Sequence, residues 1–180
     1  MTNTKFIEDC LTKNRDYLHR GIKAGASVPP DRLNLRPIRG EWSPAQVFRH
    51  LIMSNGMYEP LIVNGLAALP VDSSNQQVRQ TFLGKLLARQ AGPGRFAPVP
   101  KQFVPPEEPL PESVVEEWAL MQARFIEIVE GAHTKDLNKI FMRNPMFKDI
   151  RMNMADCFML LTNHTQRHIE QIEKRVATSC

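Results

Sequence analysis

The sequence predicts an all-α protein: an up-down-down-up four-helix bundle with a long Pro-rich crossover between the second and third long helices. Three observations carry this. Helix formers (Leu, Ala, Met, Glu, Gln, Arg, Lys) dominate the 180 residues, while alternating runs of Val, Ile, Thr and Tyr are hard to find. Four long stretches repeat apolar residues at three- and four-residue steps. Half of the 14 prolines fall within residues 91–111, which therefore cannot be regular structure.

The first helix is expected over residues 4–23, with Phe6, Ile7, Cys10, Leu11, Tyr17, Leu18 and Ile22 on one face. Gly21 and Gly25, followed by Pro29 and Pro30, are expected to stop it. An irregular link with Pro37 and Gly40 covers residues 26–41. The second helix starts sharply at Trp42-Ser43-Pro44. Ser43 is a good N-cap because its hydroxyl accepts an orphan backbone N–H, and Pro44 at the first helical position gives up a donor that had no partner. It carries Val47, Phe48, His50, Leu51 and Met53, and continues toward Leu66 with a bend at Pro60.

A short amphipathic helix is expected over residues 75–90, before the semi-rigid crossover of residues 91–111. Residues 112–130 form the third long helix, with Val114, Val115, Trp118, Met121, Phe125, Ile128 and Val129. A turn-rich segment with Asn144-Pro145 follows. The last helix starts near Asn153 as N-cap and runs to about residue 177 through Met154, Phe158, Leu161, His164, His168 and Ile172. The connections after the first and third long helices are short enough for antiparallel neighbours. There are no internal repeats, and residues 1–180 are read as one domain.

Composition excludes several classes of function. The net charge is +4, but the basic residues are scattered, with no Lys/Arg stripe interleaved with aromatics, so a nucleic-acid partner is not expected. A mildly basic solvated surface is the first reading and a basic pocket for an anionic small molecule the second. The apolar stretch around residues 51–69 is interrupted by Ser54, Asn55, Glu59, Pro60 and Asn64, so no membrane span is expected. The segment MTNTKFIEDC lacks the apolar core of a secretory signal, and a cytoplasmic location is the default. Cys10, Cys157 and Cys180 are too few and too far apart for a disulfide framework. Cys10 and Cys157 read as small helix-face residues and Cys180 as a tail residue.

His164 and His168 lie four apart on one helical face, about 6 Å along the axis, so two imidazoles can reach one ion. Their stripe neighbours Leu161 and Ile172 are apolar, so both rings face the core, where a shared metal would satisfy both. A lone His-x-x-x-His is a weak signal. His50, between Val47, Ser54 and Met57 on the inward stripe of the second helix, strengthens it: three inward histidines on two helices are hard to explain as ordinary core. Zinc and nickel both suit such ligands. His19 and His133 read as solvated. The residues after His164 are Thr165, Gln166 and Arg167, so the carboxylate of a His-Glu-x-x-His peptidase is missing. Gln171, three beyond His168, is the residue best placed to reach the site or support a ligand. Arg49 and Arg167 are expected to be solvated or salt-bridged, with anion binding as the lesser alternative. Trp42 and Trp118 are expected as core or rim aromatics, and Met53, Met57, Met121 and Met154 as core.

Trp42-Ser43-Pro44-Ala45-Gln46-Val47-Phe48-Arg49-His50-Leu51, followed by His164-Thr165-Gln166-Arg167-His168-Ile169-Glu170-Gln171-Ile172, resembles the DinB-like (damage-inducible protein B) superfamily. The resemblance covers essentially the whole chain. It implies a four-helix bundle with a three-histidine metal site, here His50, His164 and His168, near one end of the core, and often a homodimer. Characterised members of that superfamily include metal-dependent transferases of bacillithiol, mycothiol or glutathione, a maleylpyruvate isomerase, and proteins labelled metal-dependent hydrolases. One departure is visible: relatives often have a Gly after the Pro of the Asn144-Pro145 turn, where this chain has Phe147-Lys148.

Three protein ligands leave a position open, which is the pattern of a catalytic site. Two chemistries fit, with a small molecule as the substrate. The metal would activate a low-molecular-weight thiol for attack on an electrophile, or activate water for hydrolysis. Hydrolysis wants a nearby general base, and neither Glu59 nor Glu170 is placed at the site by sequence. The thiol-dependent reading is therefore preferred. The non-enzymatic rival is a stress-related binding protein whose metal only braces the bundle.

Overall fold

A computed structural model describes residues 1–36, 40–72, 74–95 and 98–179, with residues 178 and 179 as backbone only; Pro37 of the link and Cys180 lie outside the described residues. The chain is mostly helical. Its helices are α1 (Asn3–Ala26), α2 (Pro44–Gly56), α3 (Glu59–Ala68), α4 (Phe82–Ala91), α5 (Val114–Glu130) and α6 (Met154–Ser179). Single turns of 3-10 helix occur at Pro30–Arg32 and Lys101–Phe103. Long α1 and α6 each pack on a neighbour chosen by their apolar faces: α1 lies against α5 and α6, and α2 also lies against α5 and α6. The shorter α4 lies along α6 from outside this group.

Among the described residues the paired strands form a small antiparallel hairpin, β1 (Ile140–Arg143) with β2 (Arg151–Asn153), in which Met142 stands opposite Met152. It occupies the segment expected to be turn-rich, for which no strand was expected. Asn144 builds the turn. Its Oδ1 accepts from the backbone N–H of Met146 and of Phe147, and its Nδ2 donates to Tyr58 Oη. Among the described residues Asn75 alone of the non-glycines has positive φ, so this turn needs no left-handed residue and the glycine of the relatives is dispensable here.

Other boundaries shift for physical reasons. Gly21 and Gly25 do not stop α1; they lie inside it, where a Cβ on Gly21 would sit 2.2 Å from Trp118 Cη2 and one on Gly25 2.6 Å from Val115 Cγ1. They are contact points for α5. Ile22 of the expected apolar face is exposed, at 45 %. The second helix is broken rather than bent, because Pro60 has no N–H to continue the ladder, and α3 restarts with Pro60 in its first turn. Residues 75–81 are not helical. Their backbone is committed elsewhere: Val78 N–H donates to Met1 O and Arg79 N–H to Asn138 Oδ1, and Thr81 then caps α4. Both expected caps next to the site form. Ser43 and Gln46 make a reciprocal capping box at α2. Asn153 Oδ1 accepts from Asp156 N–H while Asp156 Oδ2 accepts from Asn153 N–H, which does the same for α6.

The core falls into two clusters. One contains Phe48, Leu51, Trp118, Ile169 and Ile172; the other contains Ile7, Ile62, Phe125, Met154 and Phe158. A buried polar layer crosses between α1, α5 and α6: Asn14 Nδ2 donates to Thr162 Oγ1, and Gln122 Nε2 donates to Asn14 Oδ1. Cys10 and Cys157 are buried and free, and His19 and His133 are exposed. No helix among the described residues is long and apolar enough to cross a membrane.

Candidate metal centre

The capping box at Ser43 starts α2 in a register that turns His50 inward, and the α6 box at Asn153 does the same for His164 and His168, one turn apart. His50 Nε2 lies 3.3 Å from His164 Nε2, and His168 Nε2 lies 3.0 Å from His164 Nε2. Two imidazole nitrogens at that distance can share one proton, but three lone pairs aimed at one point repel unless a cation sits between them.

The opposite nitrogen of each ring shows where the protons are. His50 Nδ1 is 2.8 Å from Phe103 O, His164 Nδ1 is 2.9 Å from Asn55 Oδ1, and His168 Nδ1 is 2.8 Å from Gln171 Oε1. All three partners are acceptors, so each Nδ1 carries the proton and each Nε2 is left as a lone-pair donor. Asn55 is itself oriented, because its Nδ2 donates to Thr165 Oγ1.

This donor set fits a metal. For Zn–N bonds of about 2.0–2.1 Å, the edge of a coordination tetrahedron is roughly 3.3–3.4 Å, close to both nitrogen separations. Among the described residues these three form the group of potential ligands whose atoms all lie within 4.8 Å of one another. Burial suits the rings to the role. It pushes the His50 pKa down, that of His164 down to about 3 and that of His168 well below its ordinary value, so all three are neutral at pH 7.

The site opens onto a pocket of about 230 Å³. Its walls are mainly apolar, with Leu87 of α4, Val99 and Phe103 of the crossover, Phe147 of the hairpin turn and Leu160 of α6. Arg167 also lines it, and among the described residues no Asp or Glu does. Trp42 stacks obliquely on His50 with ring centroids 4.9 Å apart, while Trp118 is fully buried against Phe48.

His50, His164 and His168 are thus brought together, and Gln171 sits behind His168. Arg49 is salt-bridged, 2.9 Å from Glu117, as expected. Arg167 follows neither of the two leading readings: it is half-buried on the pocket wall and, among the described residues, forms no salt bridge. Two supporting groups escaped sequence reasoning. Asn55 could have been found, being a buried amide within an otherwise apolar helix face. The Phe103 carbonyl could not, because every residue has one.

The sequence matches the family described as the DinB superfamily over residues 19–172, a span that contains all three histidines. No curated protein and no solved structure matches the chain.

Proposed function

This chain belongs to the DinB superfamily, and we propose that it is a metal-dependent enzyme that transfers a low-molecular-weight thiol of the bacillithiol, mycothiol or glutathione type onto a small electrophile. The observation that carries this reading is the convergence of three Nε2 lone pairs beside an open apolar pocket. When bound, a divalent ion such as zinc or nickel supplies Lewis acidity that lowers the pKa of a coordinated thiol or water. The chain's own residues do the rest. Phe103, Asn55 and Gln171 hold the three rings in the donor tautomer. The apolar walls displace water from the reacting groups and leave room for the body of an electrophile.

Two observations bear on the rivals. A purely bracing metal would be sealed by protein, whereas here the histidines form part of a pocket wall. Hydrolysis calls for a general base, and among the described residues no carboxylate lines that pocket. A metal-dependent hydrolase remains the second reading, with water in place of the thiol. The same reading takes α1, α2, α5 and α6 as an up-down-down-up bundle forming one domain of a cytoplasmic homodimer.

The test starts from protein purified without an affinity tag, so that no nickel is introduced. Elemental analysis should find about one divalent ion per chain. That protein should consume a thiol in the presence of monochlorobimane, and His168→Ala should abolish both the ion and the activity. A protein without stoichiometric metal contradicts the reading, and turnover of ester or amide substrates without any thiol would favour the hydrolase.

A further inference from the structure

Among the described residues Arg167 is the one arginine of the pocket, and its surroundings differ from those of the other half-buried arginines. Arg20 grips Glu173 through two bonds of 2.8 and 2.7 Å. Arg49 lies 2.9 Å from Glu117, and Arg175 lies 3.7 Å from Glu41. Arg167 has no such carboxylate among the described residues, although it too is half-buried. A guanidinium keeps its charge at any physiological pH, so withdrawing it from water without a counter-ion is unfavourable.

The rest of the pocket does not supply that counter-ion. The Asn55 amide is occupied at both ends by His164 and Thr165, and Ser54 Oγ donates to His50 O. Tyr58 Oη accepts from Asn144, Gln90 contributes only an uncharged amide, and the remaining walls are largely apolar. A divalent ion on three neutral imidazoles would add further positive charge. The pocket is therefore apolar in its walls and positive at the helix that carries the metal ligands.

We propose that Arg167 is the anion-recognition residue of this pocket, and that the site takes a small, largely apolar molecule bearing a carboxylate. The guanidinium fork matches a carboxylate with two parallel hydrogen bonds, and apolar walls strengthen such a pair by excluding water. A pocket of about 230 Å³ is smaller than the roughly 300–1,000 Å³ of drug-sized sites, so the ligand body is the size of a single ring or a short chain. This inference rests on the pocket described above for the proposed transferase, but not on the metal. The carboxylate belongs either to the electrophile or to the short arm of the thiol partner that enters the pocket, and recognition by Arg167 is the same for both.

Calorimetry with two matched probe pairs tests it: 3-phenylpropionate against 3-phenylpropanamide, and 3-(methylthio)propionate against its amide. Each is titrated into metal-loaded and into chelator-treated protein. The acid of at least one pair should bind about tenfold or more tightly than its amide, as a charge-assisted pair predicts. Arg167→Gln should erase that preference, and Arg167→Lys should keep part of it, with circular dichroism establishing that both variants are folded. Preference in the aromatic pair assigns the carboxylate to the electrophile, and in the thioether pair to the thiol partner. An acid preference that is absent from the wild type, or that survives Arg167→Gln, overturns the proposal; one that survives only with metal loaded shows the carboxylate sitting on the ion. Because the chelator-treated protein reports on Arg167 alone, a failure of the metal reading would show separately, in the elemental analysis.

Discussion

The functional argument at the scale of single residues rests less on the histidines than on what stands behind them. An imidazole is a ligand only at an unprotonated nitrogen, and three oxygen acceptors at 2.8–2.9 Å make each Nε2 that nitrogen. Asn55 is the most exacting of the three, since Thr165 holds its amide in one orientation. Asn55→Ala should therefore weaken metal binding about 10- to 100-fold in a competitive chelator titration, while Asn55→Asp, which keeps the acceptor, should not. Equal affinities in Asn55→Ala and wild type would mean that the tautomer is set by something else. The same logic covers Gln171, the sequence-expected support, whose Oε1 faces His168 Nδ1.

Among the elements, α1 and α5 show how a residue's meaning changes with its surroundings. Gly21 looks like a helix stop in the sequence, yet it is the point where the Trp118 indole crosses α1. A methyl group there would lie 2.2 Å from Trp118 Cη2 and 2.9 Å from Ile169 Cδ1, both in a fully buried cluster. Gly21→Ala gains roughly 1 kcal/mol of helix propensity and loses about 1–3 kcal/mol to overpacking. The expected result is a lower urea midpoint than wild type; a higher one would show that Trp118 can move aside. The hairpin was missed for a related reason: β1 and β2 are four and three residues long, too short to display an alternation. Their turn nonetheless delivers Met146 and Phe147 to the pocket wall.

For the molecule as a whole, burying three neutral imidazoles links stability to pH. Burial lowers their pKa values, that of His164 to about 3, whereas in the unfolded chain they titrate near 6.5. Below about pH 6.5 the unfolded chain binds protons that the native state refuses, so stability is full above that pH and falls as pH drops. The slope approaches about 1.4 kcal/mol per pH unit for each histidine. Chelator-treated protein should thus melt at a lower temperature at pH 5.5 than at pH 7.5. A flat profile across that window would mean that the rings are not buried as neutral groups.

Patterns that depend on nearest neighbours along the chain were legible before any coordinates. The Ser43-Pro44 start, the inward faces of α1, α5 and α6, and the pairing of His164 with His168 all follow from caps and helical periodicity, which operate over a few residues. Membership of the DinB superfamily was legible on the same local motifs. What the chain keeps to itself until it folds is everything that depends on distant partners. These are the oxygen acceptors behind the histidines, the break at Pro60, the use of Gly21 and Gly25 as contact points, and the placing of Arg167 on the pocket wall with no carboxylate beside it among the described residues. Each is a meeting of segments separated by tens of residues, and neither propensity nor spacing records which surfaces will meet once burial of the core brings them together.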